Sequence, residues 1–405
     1  MLKPSSRRAA LMLVGTTFAL AAGVLPAQAA SSASTGWRTE ATVAVKGKQV
    51  LMSGIDALSA GNAWAAGDGQ TSKGTNSVGL IEHWSGKSWQ AVKLPATIAK
   101  DWNKDAATSF PVIGASSSTD VWAFGDLPES EDADGYIRLN GHKWSAGTLP
   151  GSRISSGDIV FVTGTEVITS SDVWVFGGKA SPTSAKPTFS PYAAQFNGKS
   201  WKTYKVPGSG AITAASEVSR GDIWAVLGVP WLFAGEASAV SPAVVQWNGS
   251  KWAATAVQPT GLPAGANLTS ILASSASKVW IGGGATNSKG GTSEFTAELT
   301  GSSWTEGSLS APASKADFTM FDLAPDGSGG IWGLAESNEL ASPRLWHLTS
   351  SGATWTNAST SFGGSRQALF QIAAVPHSTS VWGAGAIERG KATDGLFALS
   401  GPTPR

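Results

Sequence analysis

Residues 172–207 begin with the segment DVWVFGG (172–178), continue after a loop with YAAQFNGKSW (192–201), and end at Pro207. The first segment returns in looser form around Trp64, Trp122, Trp224, Trp280, Trp332 and Trp382. The second segment returns as a Gly-x-x-Trp phrase that ends at Trp89, Trp144, Trp252, Trp304 and Trp355. The chain is therefore built from repeats of about fifty residues.

Tryptophan marks the repeat. The tryptophans of the first segment lie 50 to 58 residues apart, and 14 of the 19 tryptophans take one of the two marked positions once Trp37 is included. A fixed period near 50 indicates a propeller. Their regular placement within strands predicts a structural role, since a large aromatic ring can fill the space between blades. The residues given this role are Trp37, Trp64, Trp89, Trp122, Trp144, Trp174, Trp201, Trp224, Trp252, Trp280, Trp304, Trp332, Trp355 and Trp382.

Both halves of the repeat are typical of β structure. The first is β-branched and aromatic, follows Asp or Asn, and ends at Gly; we interpret the Asp or Asn as a turn residue that caps the preceding loop. Asn140-Gly141, Asn197-Gly198 and Asn248-Gly249 predict hairpin turns in which both residues take φ > 0. Small residues at 113–117 and 271–275 suit an innermost strand near a narrow axis.

The two ends of the repeat array complement each other. The seventh repeat runs through residues 381–383 and 395–401 and then lacks its tryptophan-bearing fourth strand. Such a strand stands near the other terminus, at residues 35–43, and contains Trp37. Pairing it with the last blade would close the ring and remove two exposed sheet edges.

We therefore predict an all-β fold, a single seven-bladed β-propeller domain over residues 30–405 with four-stranded blades. The predicted blades span approximately residues 50–95, 111–150, 158–207, 210–259, 268–308, 318–358 and 369–401, the last completed by 35–43. With no cysteine in the chain, stability must come from packing rather than disulfides.

The pattern from Val173 to Pro207, an apolar strand followed by Gly-Gly, a loop, Tyr and Trp, resembles a kelch repeat. Most other blades keep one glycine and replace the Tyr, so the chain resembles the wider kelch and galactose-oxidase-like propellers. It is also similar to the Trp-rich repeat proteins that actinomycetes secrete. Galactose oxidase uses copper with a Tyr joined to a Cys. The absence of Cys means that the resemblance implies no such cofactor here.

The first 29 residues are typical of a signal peptide. Lys3, Arg7 and Arg8 precede an apolar run, and Ala27-Gln28-Ala29 places small residues where a signal peptidase cleaves. The paired arginines fit either twin-arginine or Sec export. We expect a protein that is secreted or loosely associated with the cell wall, and without a membrane span.

The charged residues and histidines of the chain limit the kinds of ligand that it is expected to bind. Without residues 1–29 the chain has 26 basic and 28 acidic residues, a balance that argues against nucleic acid, since phosphate binding requires a basic stripe. The four histidines show no zinc-ligand spacing. We expect a monomer with no cofactor and no metal. The acidic segment 129–135 could offer oxygen ligands to calcium, but it lacks the spacing of a known calcium loop.

Two aromatic segments fall outside the repeat and provide the candidate ligand contacts. They lie in connections that should emerge on one face of the ring, where function concentrates on repeat scaffolds. An exposed Trp beside Asp, Asn and Lys suits sugar binding; the alternative is that these loops fold down and bury their aromatics. The candidate residues are Asp101, Trp102, Asn103, Asp105, Trp231 and Phe233.

These observations favour a secreted, non-catalytic binding or scaffold propeller that recognises a polysaccharide or cell-wall glycan through the long-loop face. One alternative is a polysaccharide hydrolase or lyase on the same face, for which Asp101 and Asp105 are the nearest carboxylate pair. Nothing distinguishes that pair from ordinary loop aspartates, so no catalytic residue is assigned. The other alternative is an extracellular protein-interaction platform, which a large apolar patch would favour.

Overall fold

The computed structural model describes residues 36–70, 77–96, 98, 111–126, 134–151, 159–181, 187–230, 240–309, 317–337, 342–352 and 354–402. Within them, 28 strands form seven antiparallel sheets of four strands. No helix among these residues is long and apolar enough to cross a membrane.

The blades follow the chain in order. Blade 1 contains β2 (Gln49–Ser59), β3 (Asn62–Gln70), β4 (Ser77–Trp84) and β5 (Trp89–Ala91). Blade 2 contains β6 (Val112–Ser117), β7 (Asp120–Asp126), β8 (Asp134–Asn140) and β9 (Lys143–Thr148). Blade 3 contains β10 (Ile159–Thr169), β11 (Asp172–Ser181), β12 (Thr188–Phe196) and β13 (Trp201–Tyr204). Blade 4 contains β14 (Ala211–Ser219), β15 (Asp222–Gly228), β16 (Ala243–Trp247) and β17 (Trp252–Ala254).

The remaining three blades repeat this order. Blade 5 contains β18 (Asn267–Ser275), β19 (Lys278–Thr286), β20 (Thr292–Thr300) and β21 (Ser303–Glu306). Blade 6 contains β22 (Phe318–Pro325), β23 (Ile331–Ser337), β24 (Arg344–Leu348) and β25 (Thr356–Asn357). Blade 7 contains β26 (Arg366–Ala374), β27 (Val381–Arg389), β28 (Ala392–Ser400) and, as its outermost strand, β1 (Arg38–Val43).

The predicted seven-bladed ring and its closure are confirmed. Strand β1 pairs antiparallel with β28, from Arg38 opposite Leu399 to Val43 opposite Gly395. Trp37, which precedes this strand, is 3% exposed and packs edge-to-face on Trp332 of blade 6. The first strand of each blade contacts the first strand of the next, so these seven inner strands surround the axis of the ring.

The hairpins between the third and fourth strands differ in detail from the prediction. Gly141, Gly198 and Gly249 take positive φ, but the asparagines before them do not. At residues 197–200, the Asn197 side-chain oxygen instead accepts hydrogen bonds from the backbone N–H groups of Lys199 and Ser200. Asn thus stabilises the turn through its side chain, an Asx-type arrangement that needs no left-handed backbone.

Six of the seven inner strands contain a bulge at the same place, which the sequence analysis did not predict. In three blades the extra residue is a threonine whose hydroxyl donates to a backbone carbonyl of the next inner strand. Thr163 bonds Ile212, Thr213 bonds Leu268, and Thr269 bonds Met320, at 2.6 to 2.8 Å. Because a bulge turns a side chain out of the ladder, these threonines join neighbouring blades.

Tryptophans from neighbouring blades meet edge-to-face. In five such pairs the second strand of one blade supplies one ring, and a residue in or directly before the fourth strand of the next blade supplies the other, with centroids 5.2 to 5.8 Å apart. The pairs are Trp122–Trp201, Trp174–Trp252, Trp280–Trp355, Trp332–Trp37 and Trp382–Trp89. The repeated tryptophans therefore lie between blades, and Trp37 completes the seam between blades 6 and 7.

Removal of the Trp37 ring should destabilise the whole protein. We expect Trp37→Ala to lower the free energy of unfolding by about 3–5 kcal/mol, because it leaves a cavity between blades 6 and 7. Urea unfolding followed by tryptophan fluorescence measures the change. Thr42→Ala, at an exposed position on β1, is the control and should change stability by less than about 0.5 kcal/mol; equal effects would contradict this role.

Candidate functional site

The two ends of the ring differ. At one end lie the turns that join the first and second strands of each blade and the hairpins that join the third and fourth strands. We call this end the turn face. In blades 1, 3 and 4 the hairpin glycine lies against the neighbouring turn; for example, a Cβ on Gly198 would lie 2.8 Å from the Ser171 side chain. The opposite end, with the connections between second and third strands and between blades, is the long-loop face.

The predicted sugar-contacting side chains lie outside the described residues. They are Asp101, Trp102, Asn103, Asp105, Trp231 and Phe233. Residues 129–133 of the acidic segment lie outside them as well. What the structure does describe on the long-loop face is a cleft between blades 4 and 5.

This cleft has a volume of about 370 Å³. Val240, Ser241 and Pro242, which lead into β16, form one wall, and the connection between blades 4 and 5, residues 259–266, forms the other. Ser241 is exposed at its edge. The volume lies at the lower end of the range of small-molecule sites.

Two side-chain amides bond the backbone next to the cleft. The Asn267 side chain accepts from the N–H of Val229 at 2.7 Å and donates to its carbonyl at 2.8 Å, which joins blade 5 to the end of β15. The Gln258 side chain bonds both backbone groups of Val244 and the hydroxyl of Thr255. These amides therefore hold the end of β15 and the start of β16 beside the cleft.

The chemistry of the cleft is uncharged. Its described lining contains three prolines, Leu262, Val240 and the Ser241 hydroxyl, and includes no ionisable side chain. Proline and leucine offer apolar faces with few rotamers, while the hydroxyl and nearby backbone groups offer hydrogen bonds. This combination suits a neutral ligand with one apolar face and several hydroxyl groups.

Carboxyl groups line the axis of the ring, and the sequence analysis missed them. Burial raises the pKa of Asp56 to about 6 and the pKa of Asp322 to about 7. Burial, together with repulsion from Glu217 and Asp56, raises the pKa of Glu166 to about 8. The available signal was an acidic residue within an otherwise small or apolar inner strand.

These side chains accept hydrogen bonds from the next blade. The Asp56 carboxylate accepts from the N–H of Ala115 at 2.8 Å, and that of Asp322 accepts from Ile372 at 2.9 Å. Between blades 7 and 1, the side-chain oxygen of Gln371 accepts a hydrogen bond from the N–H of Ile55. Their polar atoms are thus engaged in joining inner strands, which gives them a structural role.

A second set of polar pairs surrounds the tryptophans near the turn face. Asp120 accepts two hydrogen bonds from Arg138, whose guanidinium lies 4.4 Å from the Trp122 ring centre. His83 stacks on Trp64 at 4.2 Å, with Asn62 at 3.0 Å from its Nε2. The Asp or Asn before the tryptophan therefore does more than cap a turn: it positions a flat side chain over the ring.

The described residues show no metal centre. No group of three or more His, Cys, Asp or Glu side chains within them is arranged to hold an ion. His347 of blade 6 instead pairs with Asp326 at 2.9 Å and stacks on Trp332, the same arrangement as in blade 1.

Comparison with known proteins gives structural likeness only. No family model and no curated protein matches the chain. Among solved structures it is similar to the fucose-specific lectin from Aleuria aurantia, at 11% identity and a TM-score of 0.43 over 80% of this chain and 100% of the lectin. It is also similar to the GH74 xyloglucanase from Xanthomonas campestris, at 13% identity and a TM-score of 0.42 over 86% of this chain and 59% of that chain. A third similar structure is Sqt1 from Chaetomium thermophilum, at 10% identity and a TM-score of 0.48 over 87% of this chain and 81% of that chain. Likeness at this distance carries no information on ligand or activity.

Stability should fall as the pH rises from about 4.5 to about 8. The pKa of Glu166 is about 8 in the folded ring, against an ordinary 4.5, so the folded state holds the proton more tightly and is favoured at low pH. This contribution is complete below the unfolded pKa and is lost as the pH rises through the folded one. Glu166→Gln imitates the protonated group and should flatten the decline, measured as urea midpoint against pH.

Glu306→Gln provides the control for this measurement, since Glu306 is exposed on β21. It should leave the pH dependence as it is in the unaltered protein. A decline as steep in Glu166→Gln as in the control would show that the axial carboxyl does not contribute to it.

Proposed function

We propose that this protein is a secreted, non-catalytic propeller that binds a polysaccharide, such as a cell-wall glycan, through its long-loop face. The observation that carries the proposal is the uncharged cleft of about 370 Å³ between blades 4 and 5. Secretion rests on the signal-peptide pattern of residues 1–29, and the kelch-like character of the repeats rests on their sequence alone.

The position of the cleft in the chain supports this proposal. One of its walls, residues 240–242, follows directly on the segment that contains Trp231 and Phe233. Sugar sites combine an aromatic face for the pyranose ring with hydrogen-bonding groups for the hydroxyls. The proposal assigns the aromatic contact to Trp231, with Trp102 as a second contact on the connection between blades 1 and 2.

Retention on insoluble glycans tests the function. We expect the purified mature protein to bind chitin, cellulose or peptidoglycan in a pull-down, with no sugar released into the supernatant. Trp102→Ala and Trp231→Ala should abolish retention while urea unfolding stays unchanged. Retention that both variants preserve would contradict their assigned role, and retention on none of the three polymers would contradict the function.

A variant that fills the cleft tests its location. Ser241→Trp places a large ring at the edge of the cleft and should weaken binding to the retained glycan at least about tenfold, equivalent to about 1.4 kcal/mol. Ser250→Trp makes the same exchange at an exposed hairpin on the turn face and should bind normally. Isothermal titration with a soluble fragment of that glycan compares the two; equal affinities would place the site elsewhere.

The alternatives predict other outcomes in the same assays. Release of reducing sugar would favour a hydrolase or lyase and direct attention to Asp101 and Asp105. The axial carboxyls are poor candidates for that chemistry, because Asp56 and Asp322 bond backbone amides. Absence of both binding and release would favour a protein partner.

A further inference from the structure

The turn face carries a row of positive charge. Lys87, Lys143, Lys199 and Lys251 are exposed in or beside the hairpins between the third and fourth strands of blades 1, 2, 3 and 4. One lysine thus projects from each of four consecutive blades, and we call this set the lysine arc. The corresponding hairpins of blades 5 and 6, at residues 301–302 and 349–352, contain no charged residue, and blade 7 has no such hairpin because β1 supplies its fourth strand.

The carboxylates in the turns beside the arc bond partners other than its lysines, and Asp222 of blade 4 accepts a hydrogen bond from the Gln246 side chain at 2.6 Å. Asp120 pairs with Arg138, and Asp172 pairs with Arg220, in both cases at 2.7 Å and with the carboxylate 5% exposed. Asp326 pairs with His347 in blade 6. Within the described part of the chain, no ion pair joins a carboxylate to a lysine of the arc.

The arc therefore reflects the placement of these four lysines on consecutive blades rather than an excess of positive charge over the whole chain. Without residues 1–29 the chain has 26 basic and 28 acidic residues. Four unmatched ammonium groups on one side of a nearly neutral protein create a local positive potential. Such a potential attracts anionic partners and raises their association rate.

We propose that the lysine arc binds a linear anionic polysaccharide, one that carries carboxylate, sulfate or phosphate groups along its length. The charges follow the ring over four adjacent blades, which matches an extended chain that crosses one side of the face. Lysine is a mobile point charge on a flexible stem, and it can therefore follow anions of irregular spacing. Ser, Asn and Gly make up most of the remaining hairpin surface and can contact sugar hydroxyls.

Other polyanions fit this surface less well. A membrane-bound surface needs apolar side chains that insert between the lipids, and the hairpins present none that is exposed. Single-stranded nucleic acid needs exposed aromatic rings for base stacking, whereas Trp89, Trp144 and Trp201 are half-buried and Trp252 is buried. An anionic polysaccharide needs neither.

The test compares two anionic polysaccharides, one of which has the dextran backbone, with neutral dextran. We expect the mature protein to bind dextran sulfate and alginate and to leave neutral dextran unbound in biolayer interferometry. With about four ammonium groups engaged, a tenfold rise in NaCl, from 50 to 500 mM, should weaken binding at least about 100-fold. The quadruple variant K87Q/K143Q/K199Q/K251Q should lose at least about tenfold in affinity at 50 mM NaCl.

A matched variant separates the arc from net charge. K46Q/K93Q/K205Q/K391Q removes the same four charges from exposed positions toward the long-loop face and should bind the anionic polymers normally. Equal losses in the two quadruple variants would overturn the proposal. So would equal or tighter binding to a 30-base-pair DNA duplex or to vesicles of one part phosphatidylserine to three parts phosphatidylcholine.

This inference is independent of the cleft on the long-loop face. Ser241→Trp and Trp231→Ala should keep their affinity for dextran sulfate, and the arc variant should keep its retention on neutral glycan. A negative result for one proposed site therefore does not contradict the other. Circular dichroism of each variant checks that the ring is folded.

Discussion

The edge-to-face contact between tryptophans of neighbouring blades is the interaction on which the ring depends. A blade is a four-stranded sheet with two large faces, and it is stable only when both are covered. The tryptophan pairs cover them with wide, rigid rings. Eleven indole N–H groups of the described residues are buried without a hydrogen-bond acceptor, so these side chains are retained for area and shape rather than for their polar atom.

The number of blades and the closure of the ring can be predicted from the sequence because tryptophan marks both. Tryptophan at a period near 50 gives the number of blades, and the unmatched phrase around Trp37 gives the closure. The joints between inner strands were not predicted. Thr163, Thr213 and Thr269 do recur at the period of the repeat, each after Val, Ile or Leu, but a lone threonine in a strand does not reveal a bulge. Asp56 and Glu166 accept hydrogen bonds from the inner strand of the next blade, which lies about 50 residues further along the chain.

The cleft between blades 4 and 5 was not predicted from the sequence, for a physical reason. Off-pattern aromatics can be recognised in sequence because the repeat supplies the pattern they break. The cleft depends instead on Asn267 and Gln258, whose amides hold the connections around blades 4 and 5. The lining of the cleft is uncharged, whereas the hairpins at the other end of blades 1 to 4 carry lysine. The two proposed sites therefore call for ligands of different charge.

The pairing of β1 with β28 has a consequence for the time course of folding. Nearly the full length of the described chain separates these strands, and closing so long a loop is slow compared with forming a local hairpin. Blades 1 to 6 can assemble from neighbouring segments in sequence, whereas blade 7 must wait for both of its parts. Until they meet, one edge of β28 is unpaired and Trp332 lacks its contact with the Trp37 ring. We therefore expect the completion of this one seam to be a late step in folding.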